Sequence, residues 1–469
     1  MRFFPSIIQG GMGVNISSWQ LANACAHAGA MGVVSGTAAD AVMVRTLQQG
    51  DKGGHWRRAL AHYPLQDIAE FLIKRYFVEG GKEKDAPYRP HPMPTIAPRR
   101  HADDLSVAAN FAQVWLAKEG HNGRIGINLL EKIQFATPAA VWGAMIGGVD
   151  AILMGAGIPR EIPELIRRLA SGKAGSVSVH VDNATQDYRT VIDPEVVTPG
   201  ASAQPPKMMA IVSSDKLATF LNRDETIRPD AFIYEAPNAG GHSAPPRGKF
   251  SLDETGEPIY GKKDLPNWDV LMGTELPVWI AGGMGSPEGL ATAQSLGAVG
   301  VQVGTPFAMS KESGLAPHLR DEMMDKLRAS TLSVRNDMLA SPTGFPFKIA
   351  KRDDAERPRL CDLGYLRTPY ERENGRIGYR CASEPIDEYV AKGGDIADTE
   401  GRACLCNGLM ATTGLGQTRK DGYVEPPVVT LGQDLSSCEA LLDRHPDGWE
   451  AVDVINWING KPAAYVAAA

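Results

Sequence analysis

The stretch 278–305 reads VWIAGGMGSPEGLATAQSLGAVGVQVGT and contains two short apolar segments that each end in glycine. Val278–Ala281 and Gly300–Val303 have the length and apolar content of parallel strands that are buried on both faces. Leu290 and Ala293 fall on one face of the helical pattern between them. A strand, a helix and a second strand in this order predict one βα repeat of an α/β fold.

Segments of the same kind occur earlier in the chain, with helical patterns between several of them. We predict further strands at Ser6–Gln9, Met31–Ser35, Arg124–Leu129, Asp150–Met154, Met208–Val212 and Ala231–Glu235. Eight strands in βα alternation predict a closed (β/α)₈ TIM barrel, and an open doubly wound sheet is the main alternative.

Two long segments interrupt the repeat. Residues 38–122 are too long for a single crossover, and they predict a helical insertion. Apolar periodicity within it predicts one helix near residues 65–76 and a second near residues 105–118. Residues 176–206 predict an extra strand followed by a proline-rich return to the barrel.

The composition disfavours some classes of partner. The 469 residues carry 48 Lys and Arg against 55 Asp and Glu, a net charge of −7, which disfavours nucleic acid or an anionic membrane. No apolar run approaches the ~20 residues that span a bilayer. The first residues lack the long apolar segment of a secretory signal, so we expect a cytoplasmic protein.

Glycines follow several of the predicted strands. Gly10–Gly13 comes directly after the first strand, and the carboxyl end of the strands is the active-site face of a barrel. Gly282, Gly283, Gly304 and Thr305 follow the last two strands, where many barrels bind phosphate through backbone N–H groups. The alternative is a set of tight turns. We favour phosphate binding because two such turns occur together at this position.

A histidine follows the sixth predicted strand, in the segment Ala239-Gly240-Gly241-His242. This position places His242 on the carboxyl rim of the barrel, where an imidazole of ordinary pKa, ~6.5, suits proton transfer near neutrality. A lone histidine is more often a surface or hydrogen-bonded structural residue, and we interpret the other nine histidines in this way.

These motifs together resemble the nitronate monooxygenase (2-nitropropane dioxygenase-like) family of FMN-dependent TIM barrels, which is related to flavin-dependent enoyl-ACP reductases. The matching pieces are Ile8–Gly13, Leu21–Gly36, Gly126–Asn128, Ala239–His242 and Pro277–Phe307. The turn after the histidine departs from the family, because it reads Ser-Ala-Pro-Pro-Arg-Gly over 243–248 instead of a short Arg-Gly. This departure lies where the substrate is selected. The resemblance therefore predicts the cofactor of this protein better than it predicts the substrate.

The resemblance implies FMN and a set of residues that contact it. The phosphate would lie near Gly282, Gly283, Gly304 and Thr305, the flavin ring near Gly11, Met12 and Asn128, and Gly240 and Gly241 beside the ring. His242 matches the catalytic histidine of the family.

The favoured function is an FMN-dependent oxidoreductase that acts on a small molecule and oxidises alkyl nitronates with O₂. The alternative is a flavin reductase that uses NAD(P)H to reduce an enoyl thioester or a quinone. A third hypothesis is a scaffold that has lost its chemistry, and the intact His242 and glycine turns count against it. A homodimer is expected only because barrels often pair.

The βα alternation stops after residue 345. We predict an FMN-binding barrel over residues 1–345, interrupted by the 38–122 insertion, and a cysteine-containing C-terminal extension over 346–469. Four cysteines of this extension are candidate thiolate ligands: Cys361, Cys381, Cys404 and Cys406. Their spacing is not a familiar metal-binding pattern, so we predict no metal site.

Overall fold

The computed structural model describes residues 4–97, 99–352 and 357–462. Eight parallel strands form its central sheet. In chain order the first to eighth barrel strands are Ile7–Gln9, Gly32–Ser35, Ile125–Leu130, Ala151–Gly155, Lys207–Val212, Ala231–Glu235, Val278–Ala281 and Gly300–Val303. The predicted strands are confirmed, and no end differs by more than one residue.

The sheet closes on itself. Each strand pairs with its neighbour in chain order, and the first strand also pairs with the eighth, with Ile7 in register with Val301. Between the first and second strands, Met31 N donates to Ile7 O at 3.0 Å and Gln9 N donates to Met31 O at 2.9 Å. The predicted TIM barrel is therefore confirmed, and the open sheet is wrong.

The helices lie outside this ring. Their bounds are Trp19–His27, Ala39–Gln48, His55–Leu60, Gln66–Tyr76, Arg100–Lys118, Thr137–Ile146, Ile162–Ala170, Pro194–Val197, Asp215–Asn222, Trp268–Met272, Pro287–Ser295, Thr305–Ala308, Pro317–Arg328, Ile386–Ala391, Leu405–Thr412, Ser436–Arg444 and Ala451–Ile458. Trp19–His27 begins at an N-cap, since the Ser18 side chain accepts from Leu21 N. Helix Ala451–Ile458 packs against Trp19–His27 and Pro287–Ser295, and so fills the ring position after the eighth strand.

The insertion is helical, as predicted. Its helix Gln66–Tyr76 agrees with the predicted 65–76, and its last helix begins earlier than predicted, at Arg100, and ends at Lys118. Arg100–Lys118 packs against Thr137–Ile146, the helix that follows the third strand. The insertion therefore contributes a helix to the ring as well as an outer layer.

Small antiparallel sheets lie outside the barrel. The segment predicted as an extra strand and return is a hairpin of Gly175–Val179 with Tyr188–Ile192. Strands Val334–Asp337 and Phe347–Ala350 form a second hairpin, which spans the predicted boundary at residue 345. A third joins Thr368–Glu371 with Ile377–Arg380. The division of the chain at residue 345 stays a prediction.

The amino end of the barrel interior is filled with apolar side chains. Ile8, Met31 and Trp279 are buried there, and Phe4 meets the Trp279 ring edge-to-face at 6.2 Å between centroids. Burial of one such side chain contributes about 1.5–3 kcal/mol. The interior is therefore closed at this end, and open space lies at the carboxyl end. No helix in the described ranges combines the length and hydropathy needed to cross a membrane.

Candidate active site

A large cavity opens at the carboxyl ends of the barrel strands, with an empty volume of about 1630 Å³ that includes space open to solvent. The structure brings all of the predicted site residues to its wall: Gly11, Met12, Asn128, Gly240, Gly241, His242, Gly282, Gly283, Gly304 and Thr305. Their individual roles stay predictions.

The loop after the first strand is held rigidly by Ser17. The Ser17 hydroxyl donates to Gly10 O at 2.8 Å and accepts from Met12 N at 2.8 Å. Asn128, from the third strand, donates through Nδ2 to Gly11 O at 3.1 Å. A Cβ at Gly11 would lie 2.1 Å from Asn128 Cβ, so glycine is required for this close contact.

Three amide oxygens of the cavity wall are buried and have no hydrogen-bond partner among the described residues: Asn128 Oδ1, Asn238 Oδ1 and Gln302 Oε1. A buried polar atom without a partner costs about 1–3 kcal/mol. A bound group that presents N–H or O–H donors would recover this free energy. A flavin ring, flat and edged with polar atoms, fits such a wall of glycine backbone and amide groups.

The two late glycine turns meet the C-terminal extension. Gly283 has a φ of +67°, which favours glycine, and a Cβ there would lie 2.7 Å from an oxygen of Asp434. Gly432 N donates to Thr305 Oγ1 at 2.8 Å. The extension thus forms part of the wall where we predict the phosphate, and the Asp434 carboxylate is a negative charge that a phosphate must avoid.

His242 is held by Ser341, just before the extension, and by Phe347, near its start. Its Nε2 lies 2.8 Å from Ser341 Oγ, and its ring meets Phe347 at 4.7 Å between centroids. Burial, with the charges of Lys132 and Lys348, lowers the pKa of His242 to about 4. The imidazole is therefore neutral at neutral pH and suited to exchange hydrogen bonds with a ligand.

A carboxyl group and an ammonium group lie near His242. Glu235 ends the sixth strand and lines the cavity, and burial raises its pKa to about 7 against the opposing charge of Lys348. Lys348 is completely buried, and burial lowers its pKa to about 8 against the charges of Glu235 and Glu257. A carboxyl group half-ionised near neutrality in a cavity is a typical sign of proton-transfer chemistry.

The four candidate cysteine ligands lie in one region. A hydrogen bond from Cys404 is the largest cause that lowers the pKa of Cys361, and Cys406 lines the cavity. Burial raises the pKa of Cys381 to about 11 and that of Cys406 to about 12. Within residues 4–97, 99–352 and 357–462, no three His, Cys, Asp or Glu side chains are arranged to hold a metal ion.

Several residues that line the cavity or lie near His242 were not predicted from the sequence. Glu235 and Gln302 had a usable signal, because each is a polar residue within or at the end of a strand that is otherwise apolar. Ser341, Lys348 and the segment 430–437 had none, since the chain reaches the cavity there through tertiary contacts alone.

The second half of the barrel matches the model of a known family. A family model for nitronate monooxygenase matches residues 164–337. The predicted resemblance is confirmed for this part of the chain. The matched segment contains the fifth to eighth strands, His242 and both late glycine turns.

Curated relatives match a shorter part of the chain. Two are probable nitronate monooxygenases of Staphylococcus aureus, strains JH9 and Newman. Each is 32% identical over 103 residues, which is 22% of this chain and 28% of the relative. The match thus spans little more than a quarter of the length of these relatives.

Solved structures align with nearly the whole chain at low identity. FabK from Thermotoga maritima has a TM-score of 0.47 and 17% identity, covering 97% of this chain and 92% of that chain. Nitroalkane oxidase from Streptomyces ansochromogenes has a TM-score of 0.45 and 15% identity, covering 98% and 96%. At these values neither likeness supports a statement about function.

Proposed function

We propose that this protein is an FMN-dependent oxidoreductase that oxidises small alkyl nitronates with O₂. The observation that carries the proposal is the cavity wall of glycine backbone and three unpartnered amide oxygens, which brings His242 beside the predicted flavin position. When bound, FMN would accept electrons from the nitronate and pass them to O₂. The family match over residues 164–337 supports the same class of reaction.

The chain's own residues bind and orient the substrate in this proposal. Neutral His242, held by Ser341, presents a hydrogen bond to the nitro group. Phe347 and Leu405 are buried beside this position and exclude water from one side of the cavity. A cytoplasmic location and a homodimer stay predictions.

A second candidate is a reductase that takes electrons from NAD(P)H and reduces an enoyl thioester or a quinone. The cavity favours it in one respect, because apolar side chains of the C-terminal extension line one part of it, where an acyl chain or a quinone ring would pack. Its acceptor would occupy the part of the cavity lined by Leu366, Cys406 and Leu409.

The first experiment is the visible spectrum of the purified protein, followed by release of the cofactor with acid and chromatography against FMN. Flavin-loaded protein is then mixed anaerobically with ethylnitronate or with NADPH. Rapid bleaching by nitronate, with return of colour on O₂, is the expected result. Bleaching by NADPH alone supports the reductase, and a protein that takes up no flavin contradicts both candidates.

A further inference from the structure

Glu235 has no role in the function proposed above, although it is placed to have one. It is the last residue of the sixth strand, in register with Ala281 on the seventh, at the end of the barrel where the cavity opens. Its side chain lines the cavity, as do Asn238 and His242 from the loop that follows.

Lys348 is buried, and its charge acts on this carboxyl group. None of its side chain is exposed, and Nζ has no hydrogen-bond acceptor in the part of the chain that the structure describes. Its backbone N donates to Gly241 O at 3.0 Å, which fixes the lysine next to the histidine loop. Burial of an ammonium group without a hydrogen-bond partner costs free energy. Interaction of its charge with a nearby carboxylate offsets part of this cost.

The charged groups that act on each of these residues come from several elements. Lys348 acts on Glu235, Glu235 and Glu257 act on Lys348, and Lys132 and Lys348 act on His242. Two positive charges beside His242 disfavour its protonation. One positive charge beside Glu235 favours its ionised form and leaves a carboxylate within a largely buried site.

We propose that Glu235 is the residue that removes the proton from a neutral substrate in this cavity, and that Lys348 is a positioning residue that stabilises the ionised carboxylate. The inference rests on the proposed function, because it names neutral nitroalkanes as a second substrate class. The Glu235 carboxylate takes the proton from the carbon next to the nitro group. The C–H electron pair moves into the nitro group, and the products are a nitronate anion and a neutral Glu235 carboxyl.

This assignment gives the two groups separate tasks. The pKa of Glu235, about 7, matches proton transfer at neutral pH, whereas that of His242, about 4, makes the imidazole a weak base. Nε2 of His242 is also engaged by Ser341 at 2.8 Å. His242 therefore binds the nitro group, and Glu235 generates the nitronate.

The test measures exchange of the α-hydrogens of nitroethane in D₂O by NMR under anaerobic conditions, which requires no net oxidation. We expect Glu235→Gln to lower the enzymatic exchange rate by about 10²-fold or more. Oxidation of pre-formed ethylnitronate should fall much less. Glu257→Gln is the matched control, since Glu257 lies near Lys348 but does not line the cavity, and it should retain exchange.

Lys348 is tested through the pH dependence of the same exchange. Loss of the positive charge in Lys348→Met should raise the pKa of Glu235 and move the midpoint of exchange to higher pH, and Lys348→Arg should restore it. Infrared difference spectra of the carboxyl group give the same pKa without turnover, with Glu235→Gln identifying the band. Normal exchange in Glu235→Gln, or loss of exchange only in His242→Asn, would overturn the inference.

The two proposals fail in different ways. If ethylnitronate neither bleaches the flavin nor is oxidised, while exchange still depends on Glu235, the oxidation is wrong and the proton transfer stands. If nitronate is oxidised normally and exchange is absent from the wild-type protein, Glu235 has no such role and the oxidation stands.

Discussion

The barrel loops and the C-terminal extension line the same cavity with different chemistry. The barrel side is rich in glycine, with glycines at 10, 11, 13, 155, 240, 241, 282, 283, 285 and 304 among its lining residues. The extension side contributes one glycine, Gly432, and otherwise residues with side chains: Phe347, Tyr365, Leu366, Leu405, Cys406, Leu409, Thr430, Leu431, Asp434 and Ser437.

This difference separates binding of the cofactor from selection of the substrate within one site. Glycine backbone lets a flat ligand approach closely and offers N–H groups, a demand that is the same for any flavin barrel. Large side chains set the shape and polarity of the remaining space. The barrel side therefore accounts for the cofactor in our proposal, and the extension accounts for the choice of substrate.

The largest expected effect tests whether the extension is part of the barrel's own core. Trp449 is completely buried, and its Nε1 donates to Pro306 O at 2.7 Å, just beyond the eighth strand. Trp449→Ala should lower the free energy of unfolding by about 3–5 kcal/mol, measured by urea denaturation.

Val452→Ala is the control for this change. Val452 lies three residues away and is 39% exposed, so its truncation should change the free energy of unfolding by less than about 0.5 kcal/mol. Similar small effects of both variants would show that packing of the extension against the barrel contributes little to the free energy of unfolding.

A smaller effect concerns His242, whose neighbouring charges come from both regions. Lys132 follows the third strand and Lys348 belongs to the extension hairpin. The unfolded chain has an ordinary histidine pKa of ~6.5 and the folded protein a value of about 4. The unfolded chain therefore binds more protons between these values, and the histidine's contribution to stability is lost as the pH falls through this window.

The measurement compares urea unfolding of the wild-type protein and His242→Asn at pH 7.5 and pH 5. The wild-type protein should lose about 2 kcal/mol more than the variant on acidification. Equal losses would mean that His242 titrates normally and that neither region shifts its pKa.

The smallest effect concerns the hydroxyl that Ser341, just before the extension, supplies to His242. Ser341→Ala removes the partner of Nε2, so the imidazole is less well oriented while the glycine wall is unchanged. We expect kcat/KM for ethylnitronate to fall about tenfold, which is the value of one hydrogen bond, with flavin content unaltered. Ser295→Ala, at an exposed helix end, is the control and should leave both quantities unchanged.

The barrel could be predicted from the sequence because its signals are local. Each strand is a short apolar segment buried on both faces, and glycine follows where the chain turns at the cavity. Ala231–Glu235, Val278–Ala281 and Gly300–Val303 were predicted to the residue for this reason. The same glycines led to the cofactor-binding candidates.

The extension side could not be predicted, because its contacts join residues far apart in the chain. Phe347 meets His242 and Gly432 meets Thr305 across more than a hundred residues. Gly241 N donates to the Thr430 hydroxyl, and no periodicity in either segment predicts this hydrogen bond. Glu235 is the exception, since an acidic residue at the carboxyl end of a barrel strand could have been recognised.

The position of helix Ala451–Ile458 has a consequence for biosynthesis. The helix packs against Trp19–His27, so the last gap in the ring is filled by residues that leave the ribosome about 150 residues after the eighth strand. At about 5–20 residues per second, the nascent barrel stays open along its first helix for on the order of ten seconds. During that interval the faces of Trp19–His27 and Pro287–Ser295 that this helix covers stay exposed to solvent.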